Sequence, residues 1–330
     1  MSTMSSTVSL QQIQAPIQHE MREFETFFAN SLKTDHGLLD KISHYIIKRK
    51  GKQLRPMLVF LSARLFSEPQ EKTYIAAALI ELLHTATLVH DDVVDEAMTR
   101  RGFFSINALW KNKIAVLFGD YLLSRGLLLS INNDAFDLLK IVATAVKEMS
   151  EGELLQQEKS RRMKVNEEVY YRIIQQKTAS LIAACCAMGA AASNASEEDK
   201  QKMYDLGMSI GIAFQIKDDL LDLGFGGDIG KPVGADIQEN KITLPIIFAL
   251  EKGSEGQKKQ IKALLKKKNI SSSDLLGLQQ ILMETKAVAF AQQSMIRYAD
   301  QAKNVLSSFP ESEVSNAFQQ LVDFTIQRSK

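Results

Sequence analysis

Two short segments crowd carboxylates so closely that they call for a cation. In HTATLVHDDVVDEAM, Asp91 and Asp95 are four residues apart and Asp92 and Asp95 three apart, a spacing that on a helix is expected to turn all three to one side. FQIKDDLLD repeats the pattern with Asp218, Asp219 and Asp222. Either cluster alone could be a solvated acidic face. The apolar neighbours Leu88, Val89, Val93 and Val94 and the recurrence on a second helix make cation binding the better account. Oxygen donors with few imidazole or thiol companions suit a hard ion such as Mg2+, which keeps waters and joins substrate phosphates. Two such clusters facing one another across a cavity would hold several Mg2+ ions around a diphosphate.

Basic residues stand where a second diphosphate would need them. Lys52 and Arg55 lie in GKQLRP, Arg100 and Arg101 follow the first acidic cluster, Lys231 lies in a glycine-rich segment and Lys241 follows it. Arginine meets phosphate oxygens bidentately and lysine supplies a compact charge. The run Lys159, Arg161, Arg162, Lys164 has no acidic or apolar link to these segments and reads as a solvated face.

The elements that carry these residues read as helices. Apolar residues recur at three- and four-residue spacing over 38–50, 55–66, 71–97, 111–132, 134–160, 166–192, 196–223, 244–251, 275–307 and 310–327. All six prolines fall at the starts of these segments or between them. Ser193–Ser196 ahead of Glu197, Glu198 and Asp199 predicts a capped helix start. No segment alternates as a hairpin strand would. The one compositional break, Gly224–Gly234, holds five of the 17 glycines. One large all-α domain over 16–330, behind a flexible polar tail over 1–15, is the expectation.

With 45% hydrophobic and 24% charged residues, the 330-residue chain can bury a sizeable core. Forty basic against 39 acidic residues leave a formal charge of +1, which argues against a nucleic-acid partner. Cys185 and Cys186 are adjacent, cannot staple distant segments, and suit a reducing cytoplasm. The polar start does not read as a signal peptide. The apolar run 179–192 is too short to span a bilayer, so no transmembrane segment is expected.

The ordered set GKQLRP, HTATLVHDDVVDEAMTRRG, GDYLLSRG, KTASLI, FQIKDDLLD and GKPVGADIQENKITLP resembles the all-trans isoprenyl diphosphate synthases of the polyprenyl synthetase family, from about Lys48 onward. The resemblance implies an antiparallel helical bundle around a deep central cavity, normally a homodimer, with a non-identical partner subunit as the variant. It implies that Asp91, Asp92, Asp95, Asp218, Asp219 and Asp222 serve Mg2+ held by an allylic diphosphate. It assigns Lys52, Arg55, His84 and Arg101 to isopentenyl diphosphate, and Arg100, Lys177, Lys231 and Lys241 to the allylic diphosphate. Thr178 and Gln215 match positions near the developing carbocation. Gln53 and Asn240 depart from the usual basic residue and glycine. His84 by itself would read as a core histidine.

The implied reaction is ionisation of the allylic diphosphate, attack by the isopentenyl double bond and loss of a proton, with no protein nucleophile. A non-catalytic subunit would be expected to have lost an acidic cluster, a phosphohydrolase to hold more histidine, and a terpene cyclase to lack GKQLRP. Short-chain family members close the cavity with an aromatic four or five residues before the first aspartate. Here those positions are Thr87 and Ala86. A tail running down the helix past them, then past Leu83 one turn of about 5.4 Å further, predicts a long product of six to nine isoprene units from a farnesyl or geranyl primer. A farnesyl or geranylgeranyl product is the alternative.

Overall fold

The computed structural model describes residues 9–49, 51–100, 102–161, 165–226, 234–239, 241–267 and 270–328. Arg101, Lys231 and Asn240 lie outside them. The helices in chain order are α1 (Leu10–Gln14), α2 (Gln18–Ser31), α3 (Gly37–Lys48), α4 (Leu54–Arg64) and α5 (Glu71–Val94). A hairpin of β1 (Thr99–Arg100) and β2 (Phe103–Phe104) precedes α6 (Ile106–Ile131), α7 (Phe136–Arg161) and α8 (Glu167–Ile174). A π turn (Gln175–Ala179) leads into α9 (Ser180–Ala192) and α10 (Glu197–Asp222). Then come α11 (Ala235–Gln238), α12 (Leu244–Lys252), α13 (Glu255–Leu264), α14 (Ser272–Glu284), α15 (Ala287–Leu306) and α16 (Glu313–Gln327).

The all-α expectation holds, with local departures that have physical causes. Helix α1 begins inside the stretch expected to be a tail, and its Ile13 is fully buried. The hairpin was not expected from the sequence. Its two-residue strands pair Thr99 with Phe104 and Arg100 with Phe103, too few residues to show alternation, and Gly102 turns the chain at φ +78°. Helix α5 stops at Val94, not Ala97, because Glu96 takes a left-handed φ of +51°. The helix expected over 275–307 divides at Lys286, φ +61°. The expected helix over 166–192 is broken by the π turn. Ser196 does cap α10, its Oγ accepting from the Asp199 N–H at 3.1 Å.

Close contact divides the chain into two compact units, Gln14–Val146 with Ala184–Met203, and Lys147–Ala183 with Tyr204–Lys330 and the N-terminal Met1–Ile13. In the first, Leu32, Ile42, Leu82, Ala86, Val89 and Phe118 belong to one buried cluster. Helix α5 runs against α6 so closely that a methyl group at Gly119 would fall 2.2 Å from the His90 ring. In the second, Ile216, Leu220, Leu244, Ile246, Leu282 and Ala291 belong to the core.

Two helices, α5 and α6, are long and apolar enough by length and composition to cross a membrane. The apolar window of α5 is 67% buried and that of α6 is 33% buried, so α5 is a core helix and α6 carries an apolar stripe outward.

Helix α9 meets α4 at Gly189, where an added Cβ would lie 2.3 Å from the Val59 carbonyl oxygen. Backbone on both sides leaves no room to yield, so Gly189→Ala is expected to destabilise the fold by about 1–3 kcal/mol. Gly277, in α14, has nothing within 4 Å of an added Cβ, and Gly277→Ala is expected to stabilise by about 0.5–1 kcal/mol. Urea midpoints of the two variants on opposite sides of wild type are the check.

Candidate active site

Both acidic clusters end a helix. Asp95 caps the C-terminus of α5, its N–H bonded to the Asp91 carbonyl at 2.8 Å, and Asp222 is the last residue of α10. The helix dipole is negative there, so each carboxylate is opposed both by its neighbours and by the backbone. Compensation has to come from cations and hydrogen bonds.

The three carboxylates of the first cluster do not share one side as the spacing suggested. Adjacent helical residues differ by about 100° in direction, and Asp92 turns inward and is buried while Asp91 and Asp95 are exposed. Arg100, on the hairpin, grips Asp92 Oδ1 through both Nε and Nη2 at 2.7 Å. Asn107 adds a bond from Nδ2 to the Asp92 carbonyl at 3.1 Å. Burial pushes the Asp92 carboxyl above its ordinary range, against the pull of Arg100.

Beside this pair opens a cavity of about 470 Å³ whose wall includes Arg55, His84, Asp92 and Arg100. Arg55 lies 3.8 Å from Glu81. The preceding loop presents Lys52 at the surface, and Gln53 enters α4 in a left-handed conformation, φ +50°. Four of the sequence-predicted residues are thus brought to one wall. Ala86 and Leu83 are buried and Thr87 is half-buried, its hydroxyl bonded to the His84 carbonyl at 2.8 Å. They lie off this wall: Ala86 sits in the core with Phe118 and Leu122, and Leu83 faces Gly126 of α6.

In the other unit, the π turn is held by two glycine contacts. A Cβ at Gly152 of α7 would lie 2.7 Å from the Lys177 nitrogen, and one at Gly211 of α10 would lie 2.4 Å from the Ala179 Cα. The widened turn delivers Lys177 to Glu153 and to Gln156 Oε1 at 3.2 Å. It delivers Thr178 to α10, where Oγ1 donates to Gln215 Oε1 at 2.9 Å. Gln215 Nε2 in turn donates to Asp219 Oδ1 at 2.9 Å, and the Tyr170 hydroxyl to Oδ2 at 2.7 Å. Lys177, Thr178, Gln215, Asp219 and Lys241 all line one cavity of about 150 Å³.

Asp236 was not singled out in the sequence, yet it organises this cavity. Its N–H donates to Asp222 Oδ2 at 3.1 Å, and Lys241 Nζ reaches its Oδ1 at 3.3 Å. Burial first, and then the nearby Asp236 charge, push Asp219 up to about 8 and Asp222 up to about 6. Lys241 is opposed by burial, but Asp236 and Glu239 outweigh it and raise its pKa. Asp218 is neutralised differently. Arg328, just beyond α16, bonds its carboxylate, donates to the Phe214 carbonyl at 3.4 Å and stacks 3.9 Å over the Phe214 ring.

Residues 36–282 match the sequence model of the polyprenyl synthetase family. The chain belongs to that family. It is 31% identical over 324 residues to the octaprenyl diphosphate synthase of Escherichia coli K12, covering 98% of this chain and all of that one. It is 32% identical over 311 residues to the geranylgeranyl diphosphate synthase of Saccharolobus solfataricus, covering 91% and 93% of the two chains. Among solved structures it resembles the polyprenyl synthase of Caulobacter crescentus CB15 complexed with calcium and isoprenyl diphosphate, with TM-score 0.88, 30% identity and coverage of 98% and 99%.

As a polyprenyl synthetase with the all-α isoprenoid synthase fold, this protein is a trans-prenyltransferase. Among the described residues no three His, Cys, Asp or Glu side chains converge into a formed metal cage. The donor set fits a divalent ion: the carboxylates at both helix ends are oxygen-only ligands, and burial raises three of them, Asp92 and, furthest, Asp219 and Asp222.

The pH dependence of the metal-free protein follows from those two groups. Asp219 and Asp222 hold their protons more tightly in the fold than the ordinary 3.8 of the unfolded chain. Their favourable term is therefore full below about pH 4 and is lost as pH rises through about 6 and about 8. The melting temperature without metal is expected to fall between pH 5 and pH 8, with a shallower slope in Asp219→Asn. Added divalent cation is expected to raise melting more at pH 8 than at pH 5. A metal-free melting temperature that climbs over this range contradicts the assignment.

Proposed function

We propose that this enzyme condenses isopentenyl diphosphate with an allylic diphosphate, farnesyl or geranyl, to give a long-chain all-trans polyprenyl diphosphate of six to nine isoprene units. The observation that carries the reading is that each cavity combines carboxylates with cations. Asp92 meets Arg100 beside Arg55 and His84, and Asp219 and Asp236 share a wall with Lys177 and Lys241.

Asp91, Asp92, Asp95, Asp218, Asp219 and Asp222 would hold Mg2+, which would supply positive charge to the departing diphosphate. Arg100, Lys177, Lys231 and Lys241 hold that diphosphate as its charge develops. Lys52, Arg55, His84 and Arg101 hold isopentenyl diphosphate. The oxygens of Thr178 and Gln215, fixed by the bonds to each other and to Asp219, face the allylic cation. No thiol nucleophile competes: Cys185 and Cys186 are fully buried, and burial raises both, Cys186 to about 12.

The long product rests on the lack of an aromatic at Thr87 and Ala86, not on a path past them, since both and Leu83 lie off the cavity wall. The similarity spans both an octaprenyl and a geranylgeranyl synthase, so length is decided by the product itself. Val116, Leu117, Leu127, Leu128 and Ile131, all beyond the kink at Lys111, form the exposed apolar stripe of α6. We assign it to a homodimer in the cytoplasm, the alternative being a non-identical partner subunit.

Incubation with Mg2+ and farnesyl diphosphate, with and without isopentenyl diphosphate, tests the reaction. Elongated polyprenyl diphosphate only when both substrates are present is the expected result; a cyclic hydrocarbon, or released diphosphate alone, would overturn it. Asp91→Ala and Asp218→Ala are each expected to lower turnover by about a hundredfold or more at saturating substrates, with melting temperature preserved in Asp91→Ala and lowered in Asp218→Ala, which leaves Arg328 without its carboxylate. Chromatography of the dephosphorylated products reads the chain length. Wild-type enzyme that stops at farnesyl or geranylgeranyl diphosphate would end the long-chain proposal.

A further inference from the structure

The hairpin that carries Arg100 is too short to hold itself. Two strands of two residues provide only the pairs Thr99–Phe104 and Arg100–Phe103, and a hairpin of this size needs packing from elsewhere. Its base is tied down by side chains. Ser105 Oγ donates to the Ala97 carbonyl at 2.6 Å, and Asn107 Nδ2 bonds the same oxygen at 3.1 Å. Its outer strand is tied to α3, where the Tyr45 hydroxyl donates to the Phe104 carbonyl at 2.5 Å.

Arg49, just past the end of α3, completes this attachment. Its guanidinium carbon lies 3.7 Å from the centre of the Tyr45 ring and 4.4 Å from the centre of the Phe103 ring, and Nη1 donates to the Tyr45 hydroxyl. Phe103 is 49% exposed, so little apolar burial holds it, and a cation against its face supplies the missing attraction. Phe103 is the cross-strand partner of Arg100, and Arg100 is bonded to Asp92. A continuous series of contacts therefore runs from α3 through Arg49, Phe103 and Arg100 to the acidic end of α5.

We propose that Arg49 is a positioning residue for diphosphate binding: its guanidinium bridges the Tyr45 and Phe103 rings and thereby sets Arg100 beside Asp92 at the cavity wall. The proposal rests on the assignment of Arg100 to the allylic diphosphate. Arg49 lines the same cavity, but its guanidinium is engaged by the two rings and the Tyr45 hydroxyl, so it acts through the rings. Lysine is a compact point charge and cannot spread flat over two ring faces.

The test compares Arg49→Gln, Arg49→Lys and Phe103→Leu in the full-length protein. Arg49→Gln and Phe103→Leu are each expected to raise KM for the allylic diphosphate about tenfold, the equivalent of about 1.4 kcal/mol. For both variants, kcat and KM for isopentenyl diphosphate should stay within about twofold of wild type. The double variant is expected to be no worse than either single one, since both break one contact. Arg49→Lys is expected to resemble Arg49→Gln. Trp110, the chain's only tryptophan, packs edge-on to Tyr45 at 5.2 Å, so its emission should shift in both single variants.

Calorimetric titration of inorganic diphosphate with Mg2+ gives a readout that does not need turnover, and its Kd is expected to rise about tenfold in the same variants. Wild-type binding of diphosphate without elongation would remove the functional reading and leave the clamp standing. Full activity in Arg49→Lys, with Phe103→Leu silent, would mean that Arg49 touches phosphate directly and would overturn the clamp. Unchanged diphosphate affinity in Arg49→Gln would overturn it as well.

Discussion

Carboxylates crowded at the C-terminal ends of two helices are the constraint that the rest of the site answers. Negative backbone dipole, mutual repulsion and partial burial all oppose ionisation at Asp92, Asp219 and Asp222. Each unit meets this with different means. Near α5 the compensation is a guanidinium, Arg100, delivered by a two-strand hairpin. Near the end of α10 it is a set of hydrogen bonds, from Tyr170 and Gln215 to Asp219 and from the Asp236 N–H to Asp222, with Arg328 covering Asp218. None of these discharges the clusters fully, as the raised positions of Asp219 and Asp222 demonstrate. The unmet part is negative charge that a divalent cation would neutralise.

Preorganisation of the hydrogen-bonded chain from Thr178 through Gln215 to Asp219 depends on backbone approach. The π turn has no room for a side chain at Gly152 or Gly211, and that closeness brings a residue of the turn within 2.9 Å of one on α10. The turn's irregularity is thus a packing requirement, and Lys177 points to Glu153 and Gln156 as a result. A regular helix through Gln175–Ala179 would rotate Thr178 away from Gln215 by a fraction of a turn.

Helix α6 shows the same economy. One side gives up side-chain volume at Gly119 so that the His90 ring can lie against its backbone. Its other side keeps large apolar residues that the described residues leave exposed, in contrast to α5, whose apolar residues are mostly core.

Local pattern alone determined the helical class, the position of both acidic clusters at helix ends, and the residue types of the cations, because periodicity and charge spacing are properties of neighbouring residues. Tertiary packing decided which of those residues do what. That Asp92 turns inward while Asp91 and Asp95 face out depends on an arginine eight residues further on and on the hairpin that aims it. The hairpin's two-residue strands are too short to leave a pattern. Asp236, Tyr170 and Arg328 join the second cluster only because segments 14, 49 and 110 residues distant in sequence from their carboxylate partners fold onto it. Arg49, one basic residue in the run KRKGK, carried no local mark at all: its role depends on two ring faces, Tyr45 from its own helix and Phe103 from a hairpin more than fifty residues downstream, and a sequence displays ring types but not the faces they present.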